Sequence, residues 1–102
     1  MKHRKFSSAI LCGYEKVGGK QHVGGYCRGD PEKPAAVCVL GARNLCRTGS
    51  ATVEEGEAQS NAECDRFKRA WGFLPQHLND GMYGADRLPW EHIYGMARAA
   101  GL

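Results

Sequence analysis

No stretch of the sequence approaches the roughly eighteen consecutive apolar residues that a membrane-spanning helix requires, so no membrane association is expected. A secretory leader is not expected either. Lys2 to Lys5 give a charged start, but the apolar stretch around Ala9–Cys12 is too short for a signal core. Close pairs of metal ligands are missing too. The five cysteines, Cys12, Cys27, Cys38, Cys46 and Cys64, are widely spaced, whereas zinc sites usually use short Cys-x-x-Cys or His-x-x-x-His pairs. The nearest combination is His22 with Cys27, with Cys38 and Cys46 as distant partners, so no metal and no cofactor are expected. The glycine pairs Gly18-Gly19 and Gly24-Gly25 match neither a Walker nor a Rossmann spacing. No internal repeat or low-complexity tract is present.

What is present fits one domain. The chain has 102 residues, 42% of them apolar and 25% charged, ordinary values for a globular protein. Fourteen glycines scattered among apolar residues point to several turns. The net charge of +3 is uneven. Residues 1–49 carry nine Lys/Arg against three Asp/Glu, and residues 50–102 carry five against eight. Cysteines in such a chain are expected to be reduced and buried in a cytoplasmic protein.

Residues 4–16 read as a first helix, because Phe6, Ile10, Leu11, Tyr14 and Val17 follow helical spacing. Gly18-Gly19 stops it. The segment 18–30 reads as a short glycine-rich hairpin or irregular piece, with extended residues near Val23 and Tyr26. Asp30-Pro31 can open a second helix. It would run through the uncharged stretch from Ala35 to Ala42 and end at Gly49, with a buried strand over 35–42 as the competing reading. An acidic connector covers 50–59. Two capping pairs compete, Thr52 with Glu55 and Ser60 with Glu63; Gly56 weakens the first, so the third helix is predicted to start near Ser60, with Cys64, Phe67, Ala70, Trp71 and Leu74 on its apolar stripe and Pro75 as its end. Residues 75–88 read as a loop around the turn Asn79-Asp80-Gly81. Pro89 opens a last helix that Gly101 closes. The expected fold is therefore mainly α, a compact bundle of about four helices, with Cys38, Leu40, Leu45, Phe67, Trp71, Leu74, Trp90 and Ile93 in its core.

Candidate chemistry is sparse. Cys27, in a polar glycine-rich segment beside Arg28, is the best-placed nucleophile. Cys38 sits near a helix start among apolar neighbours that raise a thiol pKa. His77 and Asp80 could share acid–base work in one loop, although Asn79 and Asp80 also suit the task of shaping the turn. No catalytic residue is assigned. The basic first half offers Lys2, His3, Arg4, Lys5, Lys16, Lys20 and Arg28, interleaved with Tyr14 and Tyr26, as a nucleic-acid face, without a reading motif such as helix-turn-helix.

Gly25-Tyr26-Cys27-Arg28, then Cys38-Val39-Leu40-Gly41-Ala42, then Leu78-Asn79-Asp80 form an ordered set over roughly residues 18–100. In this the chain resembles an uncharacterised family of small actinobacterial and phage proteins. Leu88-Pro89, in place of a Ser or Thr cap, departs from that pattern. The resemblance implies no activity, so it transfers no catalytic residue. It implies a phage or mobile-element origin, and by analogy a protein that binds and inhibits a host machine. The leading expectation is a non-enzymatic interaction protein whose partner is a host protein or complex. Lys5, Lys16, Lys20, Arg28, Tyr83 and Trp90 are its candidate contact residues, and Tyr94 is a further exposed aromatic. A nucleic-acid binder and a small enzyme on Cys27 or the His77–Asp80 loop are the alternatives. Oligomeric state is left open.

Overall fold

In a computed structural model that describes residues 5–102, the apolar stripe of the first segment forms α1, Phe6–Lys16, and buries Phe6, Ala9, Ile10 and Tyr14. Lys2, His3 and Arg4 lie outside the described residues. Lys16 in the last turn complements the helix macrodipole. The order continues with β1 (Cys27–Asp30), β2 (Lys33–Val37), α2 (Val39–Thr48), α3 (Glu57–Trp71), α4 (Pro75–Asp80) and α5 (Trp90–Ala99). The mainly helical expectation therefore holds. The four-helix bundle does not, because five helices and a two-stranded sheet make up the described residues.

The hairpin lies later than expected and takes the residues assigned to the start of a helix. β1 and β2 pair antiparallel, with Cys27 opposite Val37 and Asp30 opposite Lys33, and with a bulge between Arg28 and Gly29. Asp30 caps no helix. Its Oδ1 accepts the Glu32 backbone N–H at 2.9 Å, an Asx turn that closes the hairpin. Pro34 is tolerated because a two-stranded sheet is all edge. Val37 anchors the strand from both sides: its N–H donates to Lys20 O at 3.1 Å, and its carbonyl accepts from His22 N–H at 2.8 Å and from the Tyr14 hydroxyl at 2.9 Å. The helix then starts only at Val39. Cys38 is its N-cap, and the Cys38 Sγ accepts the Gly41 N–H at 3.3 Å.

α1 and α2 pack at close range. A Cβ at Gly13 would fall on the Ala42 carbonyl, and one at Gly41 would fall on the Tyr26 carbonyl, so neither contact admits a larger residue. This approach brings Cys12 on α1 to Cys46 on α2, with Cα atoms 5.6 Å apart and the sulfurs paired as a disulfide. It corrects the expectation of five reduced thiols. Cys27, Cys38 and Cys64 are free.

α3 starts one turn before Ser60, with Gly56 as N-cap, and Ser60 is buried inside the helix. It ends at Gly72, whose left-handed conformation (φ 86°) lets its N–H donate to Lys68 O at 2.7 Å, a glycine C-cap that acts before Pro75 can. Pro75 instead begins α4, at a position where its fixed φ favours a first turn. The Asn79-Asp80-Gly81 signal is the end of this short helix, with Gly81 left-handed at φ 68°. The core gathers Phe6, Ile10, Tyr14, Leu45, Phe67 and Ile93, and Phe6 meets Phe67 edge-on at 6.5 Å. Cys38, Leu40, Leu45, Phe67 and Ile93 are buried as expected, and Leu74 and Trp90 partly so. Trp71 is not. It stays 41% exposed, with its indole N–H donating to Met96 O at 3.0 Å. No helix among the described residues is long and apolar enough to cross a membrane.

Candidate functional site

One charged side chain is almost wholly buried. Arg43 on α2 is 1% exposed and lies over the Phe6 ring, 5.9 Å from its centroid. Its Nε and Nη2 donate to Asn44 Oδ1 at 3.1 and 2.9 Å. Asn44 is oriented in turn by donating its own amide to Ala51 O at 3.0 Å. Two carboxylates balance the charge, Glu54 at 3.5 Å and Glu63 at 3.8 Å. Glu63 is gripped bidentately by Arg47 at 2.8 and 2.7 Å, a geometry that matches a guanidinium fork to a carboxylate. Arg43 Nη1 has no hydrogen-bond partner, and a contact of 3.8 Å to Glu63 is too long to count as one. Leaving such a donor unmet costs about 1–3 kcal/mol.

That orphan atom belongs to a side chain lining a cleft of about 390 Å³. Leu40 and Arg43 supply one wall from α2 and Ser60, Cys64 and Asp65 another from α3, with Tyr26, Leu74 and Gln76 among the rest. A smaller hollow of about 200 Å³ shares Tyr26, Leu40 and Gln76 and extends to Cys38 and Asp80. Gln76 stands between the two, and its Oε1 is also buried without a hydrogen-bond partner. Both atoms are enclosed by the protein, although their side chains line the cleft.

Burial raises the pKa of both thiols in these hollows. At Cys38 the backbone N–H groups of Gly41 and Leu40 offset part of the rise. At Cys64 the Arg43 guanidinium does so, through its charge and through a side-chain hydrogen bond to the thiol. Burial also raises Tyr26. Protonated thiols are poor nucleophiles, so this arrangement suits binding better than thiol chemistry.

Asn79, wholly buried on α4, ties the site together. Its Oδ1 accepts from Gln21 at 2.8 Å and from the Val39 N–H at 3.2 Å. Its Nδ2 donates to His22 O and to Asp80 Oδ1, both at 2.8 Å. Gln21 carries the connection on, donating to Leu88 O at 3.0 Å and accepting the Trp90 N–H at 2.7 Å. Asp80 Oδ1 also accepts the Gly24 N–H at 3.3 Å.

Outside the cleft, the turn after α4 displays Met82 and Tyr83, 45% and 75% exposed. Tyr83 has φ 55° and is the one non-glycine residue with positive φ among the described residues. A bulky residue is strained there. His77 props its ring, with centroids 4.5 Å apart.

The residues singled out from sequence sit on several elements. Lys5 precedes α1 and lines a hollow with Arg98. Lys16 ends α1, about 16 Å further along the axis at 1.5 Å per residue, and lines another hollow with Lys33. Lys20 is exposed before the hairpin, and Arg28 is exposed on β1. Trp90 is partly buried, stacked on Tyr14 at 4.3 Å with its indole N–H bonded to Gly19 O at 3.0 Å, so it works as a packing residue. Tyr94 is half-buried. The Cys27 thiol faces Gly29 O at 3.9 Å and lines neither hollow of the cleft. His77 turns to Tyr83 while Asp80 serves Asn79 and Gly24, so the two are engaged separately. Among the described residues no group of three His, Cys, Asp or Glu side chains could hold a metal ion. Sequence reasoning missed Arg43, Gln21 and Gln76. Comparison of the chain with protein-family models, curated proteins and solved structures finds no match.

Proposed function

We propose that this chain is a non-enzymatic interaction protein that meets a protein partner through the turn after α4. The supporting observation is Tyr83, a large aromatic 75% exposed in a strained left-handed conformation. Strain of this kind persists where the surroundings hold it, and it concentrates at sites of function. Exposed tyrosines are favoured anchors at interfaces, since they bring a large rigid area at small entropic cost. The raised pKa of Cys38 and Cys64 and the separate engagement of His77 and Asp80 favour binding over catalysis. Inhibition of a host machine, with a phage origin, is the role that the family resemblance suggests for such a surface.

The test is an affinity pulldown from host lysate with tagged protein, at low and moderate salt, with and without nuclease. A stoichiometric protein that survives both treatments and is lost with Tyr83→Gly is the expected result. Nucleic acid recovered only at low salt would replace this reading with one based on Lys16, Lys20 and Arg28. A protein partner retained by Tyr83→Gly would move the interface elsewhere.

A further inference from the structure

We propose that α3 and the acidic connector before it, residues 52–71, form a strap that swings off the rest of the fold as one unit, uncovering Phe6, Arg43 and Arg47 while α1, α2, the hairpin and α5 stay in place. This goes beyond the partner surface at Tyr83 and does not depend on it.

α3 is the longest helix among the described residues, yet its hold is the least apolar. Of its fifteen residues four are buried, Ser60, Glu63, Cys64 and Phe67, and Phe67 is the one large apolar side chain among them. Trp71, next on that face, stays exposed. By contrast α1 buries Phe6, Ala9, Ile10 and Tyr14. It is also tied to α2 by the Cys12–Cys46 disulfide and by the close backbone approach at Gly13. An element with few buried apolar groups opens at a lower free energy than the whole molecule.

Charges supply the rest of the hold. Arg43 meets Glu54 at 3.5 Å and Glu63 at 3.8 Å, and Arg47 meets Glu55 at 4.0 Å and grips Glu63 at 2.8 and 2.7 Å. Each of these pairs joins α2 to the strap. They fix one closed geometry, but they add little net hold, because water solvates the parted charges and returns their desolvation cost. An apolar interface has no such return.

Both ends of the strap can turn. Ala51 is the fixed point before it, wholly buried, with its N–H donating to Pro31 O at 2.9 Å and its carbonyl accepting from Asn44 Nδ2 at 3.0 Å. Gly56 then stands between connector and helix, and Gly72, left-handed at φ 86°, follows the helix. A Cβ at either glycine would meet nothing within 4 Å. Element-terminal residues of this kind absorb the backbone rotation of a hinge. A helix of this length is marginal in water by itself, so its amides exchange and Cys64 becomes accessible in the same event.

Cys64 on the strap and Cys38 at the start of α2 are both buried and free, so they report the two motions side by side. The full chain, without reductant, is labelled with iodoacetamide at rising urea below the unfolding transition, with amide exchange followed by mass spectrometry. Corrected for the rates in the unfolded chain, Cys64 should label at least about tenfold faster than Cys38, with a weak dependence on urea. The α3 amides should exchange with it, ahead of those of α1 and α2. Cys38 should follow the full urea slope of global unfolding. Tyr14→Phe, which loses a bond to Val37 O outside the strap, should speed Cys38 and leave Cys64 unchanged. Equal corrected rates at the two thiols, both rising on the global slope, would overturn the proposal, as would a Tyr14→Phe that speeds both alike. Fast Cys64 labelling with α3 amides as protected as those of α1 would also overturn it, since reagent would then reach the thiol without opening. The rates and the exchange in the unsubstituted protein need no variant, so they decide the matter should Tyr14→Phe misfold.

Discussion

The Gln21 side-chain amide donates to Asn79 Oδ1 at 2.8 Å across 58 positions of sequence. The same oxygen receives the Val39 N–H at the first turn of α2. One buried amide therefore holds the loop before the hairpin, the start of α2 and the end of α4 in a fixed relation. The cleft residues Leu40, Gln76 and Asp80 sit on those same elements, so their placement depends on Asn79.

Asn79→Asp should be destabilising by about 2–4 kcal/mol near neutral pH. The acceptor role survives, but the donors to His22 O and Asp80 Oδ1 become an oxygen facing two oxygens. Beside Asp80, the introduced carboxyl should titrate above its unfolded value. Its protonated form is then the one that fits, so the deficit should shrink as pH falls and grow as pH rises through the folded value. Denaturant unfolding of both proteins at about pH 5 and about pH 8 measures this. Equal deficits at the two pH values would show that charge plays no part.

Tyr83→Gly should leave the melting temperature level or slightly raised while removing partner binding. Glycine relieves the positive φ at that position, against the loss of the His77 contact and a more flexible unfolded chain, terms of about 1 kcal/mol each. A loss of more than about 2 kcal/mol would mean that the exposed ring supports the fold, leaving partner binding without its argument.

Much of this could be read before the fold was known, and the failures share a cause. Phe6, Ile10 and Tyr14 repeat at helical spacing and end at Gly18, so α1 was legible from local pattern alone. Residues 35–42 carry no charge, so periodicity could not separate strand from helix there. The choice was made by distant groups, Lys20 O, His22 N–H and the Tyr14 hydroxyl, which satisfy Val37 as a strand. Ser60 carries a cap signature, yet Gly56 starts the helix four residues earlier. Arg43 directly follows an uncharged run in the sequence. Its burial depends on Glu54 and Glu63, which arrive later in the chain, so no local signal could place it at the cleft.

Three thiols, not five, should react with iodoacetamide in denaturant without reductant. Cys12 and Cys46 are paired, and Cys27, Cys38 and Cys64 are free. In the native protein Cys27 should react first, because burial protects the other two and raises their pKa. Intact-mass spectrometry over time gives both counts. Closing a loop across 34 positions contributes about 4 kcal/mol in the chain-entropy account, so paired Cys12→Ser and Cys46→Ser substitutions should lower stability markedly. Five reactive thiols in the purified oxidised protein would exclude the pairing.

Stability should fall on the alkaline side, beginning near pH 9. Cys38 and Cys64 are raised above their ordinary 9.0 chiefly by burial. Tyr14 is raised far above its ordinary 10.0 by burial first, with the charges of Cys38 and Glu91 adding to it. In each case the protonated form is the one the fold accommodates. Below the unfolded value both states hold the proton and stability is fully present. Above it the unfolded chain ionises while the folded one resists, and stability is lost until the folded value is passed. The expected slope is up to about 1.4 kcal/mol per pH unit for each group inside its window, first from the thiols and then from Tyr14. Guanidinium unfolding midpoints at about pH 7 and about pH 10.5 read the total. Tyr14→Phe isolates the tyrosine share: it forfeits the bond to Val37 O at 2.9 Å at neutral pH but should flatten the decline above about pH 10. A decline equally steep in Tyr14→Phe would remove Tyr14 from the account and leave the thiols, and a level midpoint in the unsubstituted protein would contradict the burial of all three groups.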